Sequence, residues 1–371
     1  MKKIGVGFAG AGWMGRTLLE KVHAREDTEI RRLCGRNAER GQALLQELGL
    51  PGDAFTGRYG DLVEDPDIDA IFICSPNGYH GAQSIAALEA GKHVFCEKPC
   101  ATKYAEAEQQ IALATAHPEL VTLVDYILHF DSMEERLRRM VAEDTFGTIS
   151  QIQVNYRHPI NIAGDKKWKL DGELMGDAIG MGIIHALSVM VKVMEPQARP
   201  VRVYATSQAA RVRPFEQPAI WSILVSFDND ASGFCFGNID TANGYDAYHS
   251  LSGTRGGYLF DSLLDRPQKI RLWSESLAGG QWIYPLDAER CSAQGAEAWP
   301  DETTTPDSGD VIGHQTGEVI AHFFDCIESG TQSPLSFVNS ANIADIGWAA
   351  LVSAQSGQAV ELPFSAGELL G

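Results

Sequence analysis

The chain is predicted to be an α/β protein, an N-terminal doubly wound parallel sheet followed by a C-terminal α+β domain with a large, mostly antiparallel open sheet. Three observations predict this. Apolar strand-like runs alternate with helical patterns over residues 1–125. A glycine-patterned turn, Gly10-x-Gly12-x-x-Gly15, follows the first run. Beyond about Ser132, strands follow one another with few helices between them. A length of 371 residues exceeds the usual single domain, so two are expected, 1–125 and 126–371.

The elements follow in order. Ile4–Ala9 reads as a strand and Arg16–Ala24 as part of the helix after the glycine turn. Glu29–Cys34 is a strand, and Ala38–Leu48 a helix ended by Gly49. Ala70–Cys74 has the continuous apolar character of a strand buried on both faces. Gly81–Ala90 is a helix stopped by Gly91, His93–Cys96 a strand, Tyr104–Ala116 a helix and Val121–Tyr126 a strand. The second half opens with a helix, Met133–Glu143, then an alternating strand, Ile149–Arg157. Val201–Ala205, Ile220–Phe227, Gly233–Asp240, Tyr258–Asp261, Lys269–Trp273 and Gln281–Tyr284 are further strands, with a hairpin turn at Asp228–Ala231. Residues 290–312 read as a long polar loop, and His314–Ser329 and Ser340–Ala354 as closing helices.

The glycine pattern carries the first chemistry. Gly10 allows a tight turn, Gly12 lets backbone approach a pyrophosphate, and Gly15 lets helix and strand pack closely. Together with Ala11, Trp13 and Met14 they make the loop of a dinucleotide site at a helix N-terminus. The motif sits after a strand and before a helix, as that reading needs. The N-terminus is not expected to act as a secretory signal, because Gly5, Gly7, Gly10 and Gly12 interrupt the apolar run. No segment approaches the roughly twenty apolar residues that span a bilayer, so no membrane is expected.

Net charge is −19, from 30 basic and 49 acidic side chains, with no basic stripe, which argues against nucleic acid as a partner. Seven scattered cysteines, with no second close Cys or His pair beside Cys96 and Cys100, offer no zinc set and suit a reducing, cytoplasmic compartment. No metal is expected.

Ile71-Phe-Ile-Cys-Ser-Pro-Asn-Gly-Tyr-His80 and Ala87-Leu-Glu-Ala-Gly-Lys-His-Val-Phe-Cys-Glu-Lys-Pro99 closely resemble the Gfo/Idh/MocA family of NAD(P)-dependent oxidoreductases. The N-terminal third matches almost continuously. The Phe130-Asp131 region, the helix around His185 and the tail through Gly357–Leu362 match more loosely. The resemblance implies that Lys98, in Glu97-Lys98-Pro99, handles the hydroxyl proton beside the nicotinamide. Ser75, Pro76, Asn77 and His80 would lie along the cofactor's phosphate and ribose, with Glu97 and Lys98 completing its contacts. The bland alternative for Lys98 is an exposed loop lysine. For Asn77 and His80 it is a capping turn.

An acid at the end of the second strand selects NAD, whereas Arg accommodates a 2′-phosphate. Leu33-Cys34-Gly35-Arg36-Asn37 has no acid, so Arg36 points to NADP in preference to NAD, with Asn37 beside it as a further cofactor contact.

The family's second signature, Asp-x-Gly-x-His, is broken. His185 is in place, Met181 stands where the acid is expected and Ile183 replaces the glycine. Asp177 lies eight residues from His185, roughly 12 Å along a helix, and would assist from further off. His185 is either a partner of the reacting hydroxyl or a core histidine. Gly176 and Gly180 would let that helix pack closely.

Substrate contacts are expected from Tyr126, Tyr156, His158, Trp168, Lys169, His185 and His249. Lys166–Lys169 form a basic and aromatic cluster, in which Trp168-Lys169 resembles the Trp-Arg pair of several sugar-oxidising members. A tryptophan face suits the C–H face of a pyranose.

The reading is therefore an oxidoreductase moving hydride between a nicotinamide cofactor and a sugar or cyclic polyol, as a homodimer or homotetramer. Met181 keeps two alternatives open. One is a glycosidase or lyase of the same family that oxidises transiently without net redox. The other is a non-catalytic cofactor- or sugar-binding regulator.

Overall fold

In a computed structural model, the apolar run Ile4–Ala9 becomes strand β1, with five of its six residues buried. The structure describes residues 3–242, 244–261, 264, 268–300 and 316–365. β2 (Thr28–Cys34), β3 (Phe55–Thr56), β4 (Ala70–Ile73), β5 (His93–Cys96) and β6 (Thr122–Val124) join it in a parallel sheet of order β3-β2-β1-β4-β5-β6. Strand order reverses between β1 and β4, which opens a crevice at their carboxyl ends. Phe8, Phe72 and Phe95 stack across β1, β4 and β5 with centroids 4.8 and 4.5 Å apart. Phe323 meets Phe72 and Phe95 edge-on at 5.5 and 5.6 Å.

Two compact units result, and each contains discontinuous chain. The first is Met1–Tyr126, Gly164–Gly176 and Thr316–Ala341; the second is Ile127–Ala163, Asp177–Gln315 and Asn342–Gly371. The expected division at 125/126 therefore needs correcting for two returning segments. Helix Thr316–Ser329 covers the phenylalanine stack of the first sheet, and Leu335 O accepts from the Val124 N–H at 2.8 Å. Segment 164–176 is tied to the first unit by Arg40–Asp165 and by Asn77, whose Nδ2 donates to Met175 O at 2.9 Å.

The second unit is built on eight strands: β7 (Ile149–Arg157), β8 (Pro200–Gln208), β9 (Ile220–Phe227), β10 (Ser232–Asn238), β11 (Tyr248–Gly253), β12 (Gly256–Asp261), β13 (Ile270–Ser274) and β14 (Val360–Glu361). Their order is β13-β12-β11-β7-β10-β9-β8-β14, antiparallel throughout except for the β7–β10 pair. Helix Ile184–Met194 is buried along its whole length. Glycines of β10 make room for it and for the turn before it. A Cβ at Gly233 would stand 2.7 Å from Met190 Sδ, and one at Gly237 would stand 2.3 Å from Ile183 Cδ1.

Several expectations need adjusting. The first helix runs Trp13–His23, taking in Arg16, whose N–H Gly12 O accepts at 2.9 Å, and ending one residue before Ala24. The hairpin at 228–231 forms, with Asp230 at φ 65°. Gln281–Tyr284 is not a strand, and only Ile283 bridges to Leu272. Helix Ala288–Ala293, capped by Asp287, occupies the start of the expected 290–312 loop, and residues 301–312 lie outside those described. Gly172–Met194, 23 residues, is long and apolar enough to cross a membrane by length and composition, contrary to expectation. Its most apolar stretch is 83% buried inside the protein.

Candidate functional site

In the first unit the three glycines have different physical reasons. Gly10 adopts φ 112°, and a Cβ there would lie 2.4 Å from Cys74 O. A Cβ at Gly15 would lie 2.1 Å from Gly10 O, but one at Gly12 would meet nothing within 4 Å. Protein packing thus demands Gly10 and Gly15. Gly12 faces open space, the room a closely approaching ligand needs. Helix Trp13–His23 begins there with no side-chain cap and no acid in its first turn. Its leading N–H groups and dipole suit an anion. These residues fit the pyrophosphate of a dinucleotide, flanked by half-buried Ala11 and Met14 and exposed Trp13.

Past β2, Arg36 is exposed, and Asn37 caps the helix Ala38–Glu47 by accepting the Arg40 N–H at 2.9 Å. Its carboxamide oxygen therefore has a local structural duty. Past β4, Ser75 Oγ donates to Gln83 Oε1 at 2.6 Å. Pro76 precedes a short turn, and Asn77 is buried against Met175 O.

His80 opens the helix His80–Glu89. It is 1% exposed, with Nδ1 2.8 Å from Pro99 O and Nε2 2.8 Å from Ser75 O. Burial, reinforced by the Lys98 charge, lowers its pKa. The imidazole lies between the end of β4 and the loop after β5 and, when neutral, donates to one of these two carbonyls. In that loop Glu97 is buried, Lys98 is half-buried and the Lys98–Pro99 bond is cis.

Trp168 and Lys169 were expected on the substrate side of the second domain; they belong to the first unit. Lys169 Nζ lies 5.8 Å from the Trp168 ring centre, and Lys166 Nζ lies 5.8 Å from that of Trp13. The backbone here passes so close to the β4 turn that a Cβ at Gly78 would stand 2.2 Å from Glu173 O. The basic and aromatic cluster therefore borders the glycine turn. Tyr126, 1% exposed, closes the first stretch of the unit.

In the second unit, Tyr156, His185 and His249 line one cavity, together with Glu134, Asn155 and Tyr245. The Tyr156 and His185 ring centres are 6.0 Å apart, as are those of Tyr156 and Tyr245. The Tyr156 hydroxyl lies 3.3 Å from His158 Nδ1. Gly182 permits this: a Cβ there would stand 2.7 Å from Tyr156 Cε1. His249 is buried, with Nε2 3.0 Å from Glu134 Oε1 and Nδ1 3.0 Å from the Tyr258 hydroxyl. Sequence reasoning missed Glu134. Its only signal is an acid in the first turn of an otherwise ordinary amphipathic helix.

The helix around His185 begins irregularly. Ile179–Ile183 is π-helical, so the regular spacing assumed between Asp177 and His185 does not hold. Asp177 accepts the Gly180 N–H at 2.8 Å, and burial raises its carboxyl pKa. Met181 is buried. Gly176, at φ 79°, ends the preceding helical turn, and a Cβ there would stand 2.7 Å from Thr102 Cγ2.

Comparison with known proteins adds to this geometry. The family described as "Oxidoreductase family, NAD-binding Rossmann fold" matches residues 4–124, and the "GFO/IDH/MocA C-terminal domain" matches residues 135–259. The chain is similar to the uncharacterized oxidoreductase YrbE of Bacillus subtilis, at 28% identity over 73% of this chain and 77% of that one. It is also similar to inositol 2-dehydrogenase of Salmonella typhimurium, at 24% identity over 67% of this chain and 71% of that one. Among solved structures, an oxidoreductase domain protein from Kribbella flavida superposes with a TM-score of 0.81 at 22% identity. That match covers 98% of this chain and all of that one, and shows the shared fold.

Proposed function

The chain belongs to the Gfo/Idh/MocA oxidoreductase family, and from that premise we propose that it moves hydride between a nicotinamide cofactor and a secondary alcohol or ketone of a sugar or cyclic polyol. The observation that carries this reading is the glycine turn, with Gly12 open and Gly10 and Gly15 locked, at the same edge of the parallel sheet as the loop after β5 that bears Lys98. Gly10–Gly15 would hold the pyrophosphate, Ser75–Asn77 the adjoining phosphate and ribose, and Arg36 a 2′-phosphate, which favours NADP. When bound, the nicotinamide supplies the hydride acceptor or donor.

The protein's own part is position and protons. Lys98 takes the hydroxyl proton in oxidation and returns it in reduction. His185 hydrogen-bonds the reacting hydroxyl, and Tyr156 supports the imidazole by ring contact. Tyr126, His158, Trp168, Lys169 and His249 remain assigned to the substrate as proposals. Inositol, named in the inositol 2-dehydrogenase relative, is a cyclic polyol, which supports a substrate of that class here. Tyr204 and Phe236, 41% and 40% exposed on β8 and β10, support self-association through the open sheet.

Met181 favours a second reading. A buried thioether where the family carries an acid cannot accept a proton, and Asp177 is occupied by Gly180. A family lyase or glycosidase without net redox is the alternative.

Fluorescence titration with NADPH and NADH, then nicotinamide absorbance against a sugar and polyol panel, tests both. Substrate-dependent turnover that Lys98→Ala abolishes, with cofactor binding kept, supports the dehydrogenase. Cofactor binding with substrate cleavage and no net absorbance change supports the alternative.

A further inference from the structure

The end of β2 carries no acid of its own, yet the fold brings one to it. Segment 164–176 returns to the first unit, and Asp165 pairs there with Arg40, 125 residues away along the chain. Arg40 stands in the first turn of helix Ala38–Glu47, its N–H donating to the Asn37 side chain at 2.9 Å, and exposed Arg36 stands just before that cap. This corner adjoins the glycine turn. Cys34 O accepts the Gly10 N–H at 2.8 Å, and a Cβ at Gly35 would lie 3.7 Å from Ala11 Cβ.

The next residue, Lys166, reaches the other side. Its Nζ lies 5.8 Å from the ring centre of Trp13, which opens the helix after the glycine turn. Consecutive Cα atoms are about 3.8 Å apart, so Asp165 and Lys166 carry the segment across the interval between the β2 corner and the glycine turn. In a dinucleotide fold the side chains after the second strand read the 2′ position of the adenosine ribose. A carboxylate there accepts a ribose hydroxyl and repels a phosphate, whereas a guanidinium binds the phosphate.

We propose that Asp165 sets the cofactor preference: its carboxylate competes with the 2′-phosphate of NADP for Arg40 and so restrains the preference that Arg36 gives.

The pair is of a kind that a ligand exchanges. Its side chains are 43% and 56% exposed, so burial locks neither, and a pair this open contributes little to the fold. A phosphate arriving at the corner must take the guanidinium from the carboxylate or lie against the carboxylate, and both cost affinity. NAD carries a neutral hydroxyl at the same position, which donates to the carboxylate and leaves Arg40 in place. The inference rests on reading the glycine turn as a dinucleotide site, and not on hydride transfer.

Fluorescence titration of the full-length protein with NADPH and with NADH tests it, in the wild type, Asp165→Asn, Arg40→Ala and the double variant. Asp165→Asn should tighten NADPH about fivefold or more. NADH should stay within about twofold, because the carboxamide oxygen still accepts a ribose hydroxyl. In an Arg40→Ala background the same substitution should change NADPH binding by less than about twofold, since no guanidinium is left to release. Equal effects of Asp165→Asn on both cofactors would mean that the pair only anchors segment 164–176, and would overturn the proposal. So would a gain for NADPH that survives in Arg40→Ala. If both cofactors bind and Asp165→Asn changes neither, the proposal fails alone. If the expected pattern holds and no sugar is turned over, the reading of function fails alone. A wild type that binds neither cofactor overturns both.

Discussion

Gly15 sits against the carbonyl oxygen of Gly10, so closely that a Cβ at 15 would lie 2.1 Å from that oxygen. Gly12, two residues after Gly10, has no such neighbour. The motif therefore contains two kinds of glycine, one kind needed by the protein and one left for a ligand. Gly15→Ala should lower folding stability by about 3 kcal/mol or more, since rigid backbone cannot yield as a side-chain end can. Gly12→Ala should stay within about 1 kcal/mol of wild type, an N-cap effect, yet weaken NADH binding about tenfold or more. Urea unfolding and fluorescence titration of both variants decide it. Equal loss of stability in the two would refute the distinction.

Arg36 follows β2 at an exposed position, with no acid before it to repel a phosphate. A guanidinium–phosphate contact contributes about 1.5–3 kcal/mol. Arg36→Ala should therefore weaken NADPH binding about 10- to 100-fold and leave NADH within about twofold. Equal weakening of both cofactors would place Arg36 against the shared adenosine. No change in either would remove it from the site.

The parallel sheet was legible because β1, β4 and β5 are buried on both faces and read as continuous apolar runs. β11 was not, because it alternates with a histidine: His249 takes a core position by bonding Glu134 and Tyr258, and polarity hid the strand. The glycine turn and Glu97-Lys98-Pro99 are local motifs and could be read directly. The last strand of the first sheet was expected to run to Tyr126, whereas β6 stops at Val124. The return of 164–176 and 316–341 to the first unit depends on contacts far apart in sequence, such as Phe323 on Phe72, which no local pattern carries.

The His249 arrangement has a consistent proton order. With Nε2–H donating to Glu134, Nδ1 is free to accept the Tyr258 hydroxyl, and both imidazole positions are satisfied. Glu134→Ala strands a buried donor and should cost about 2–4 kcal/mol. Glu134→Gln keeps an acceptor and should cost about half as much. A double-mutant cycle with His249→Leu should show coupling above about 1 kcal/mol. Additive losses would mean that the two side chains pack without bonding.

Asp131 caps the helix Ser132–Ala142 by accepting the Met133 N–H at 2.8 Å, and its carboxyl is pushed up to about 7 by burial and then by Glu134. The folded state therefore holds a proton that the unfolded chain, near 3.8, has already released. Stability from this group is fully present below about pH 4 and falls as pH rises towards 7. His129, pushed down to about 3 by burial and then by Lys192, acts in the opposite sense and costs stability as pH falls below about 6.5. Wild-type curves thus mix two slopes. Asp131→Asn keeps a capping oxygen and removes only the first. Its stability relative to wild type should rise by about 2–3 kcal/mol between pH 5 and pH 8, with the His129 contribution cancelling in the difference. Urea unfolding of both proteins at those two pH values measures it, and parallel curves would show that Asp131 is ionised in the fold at both.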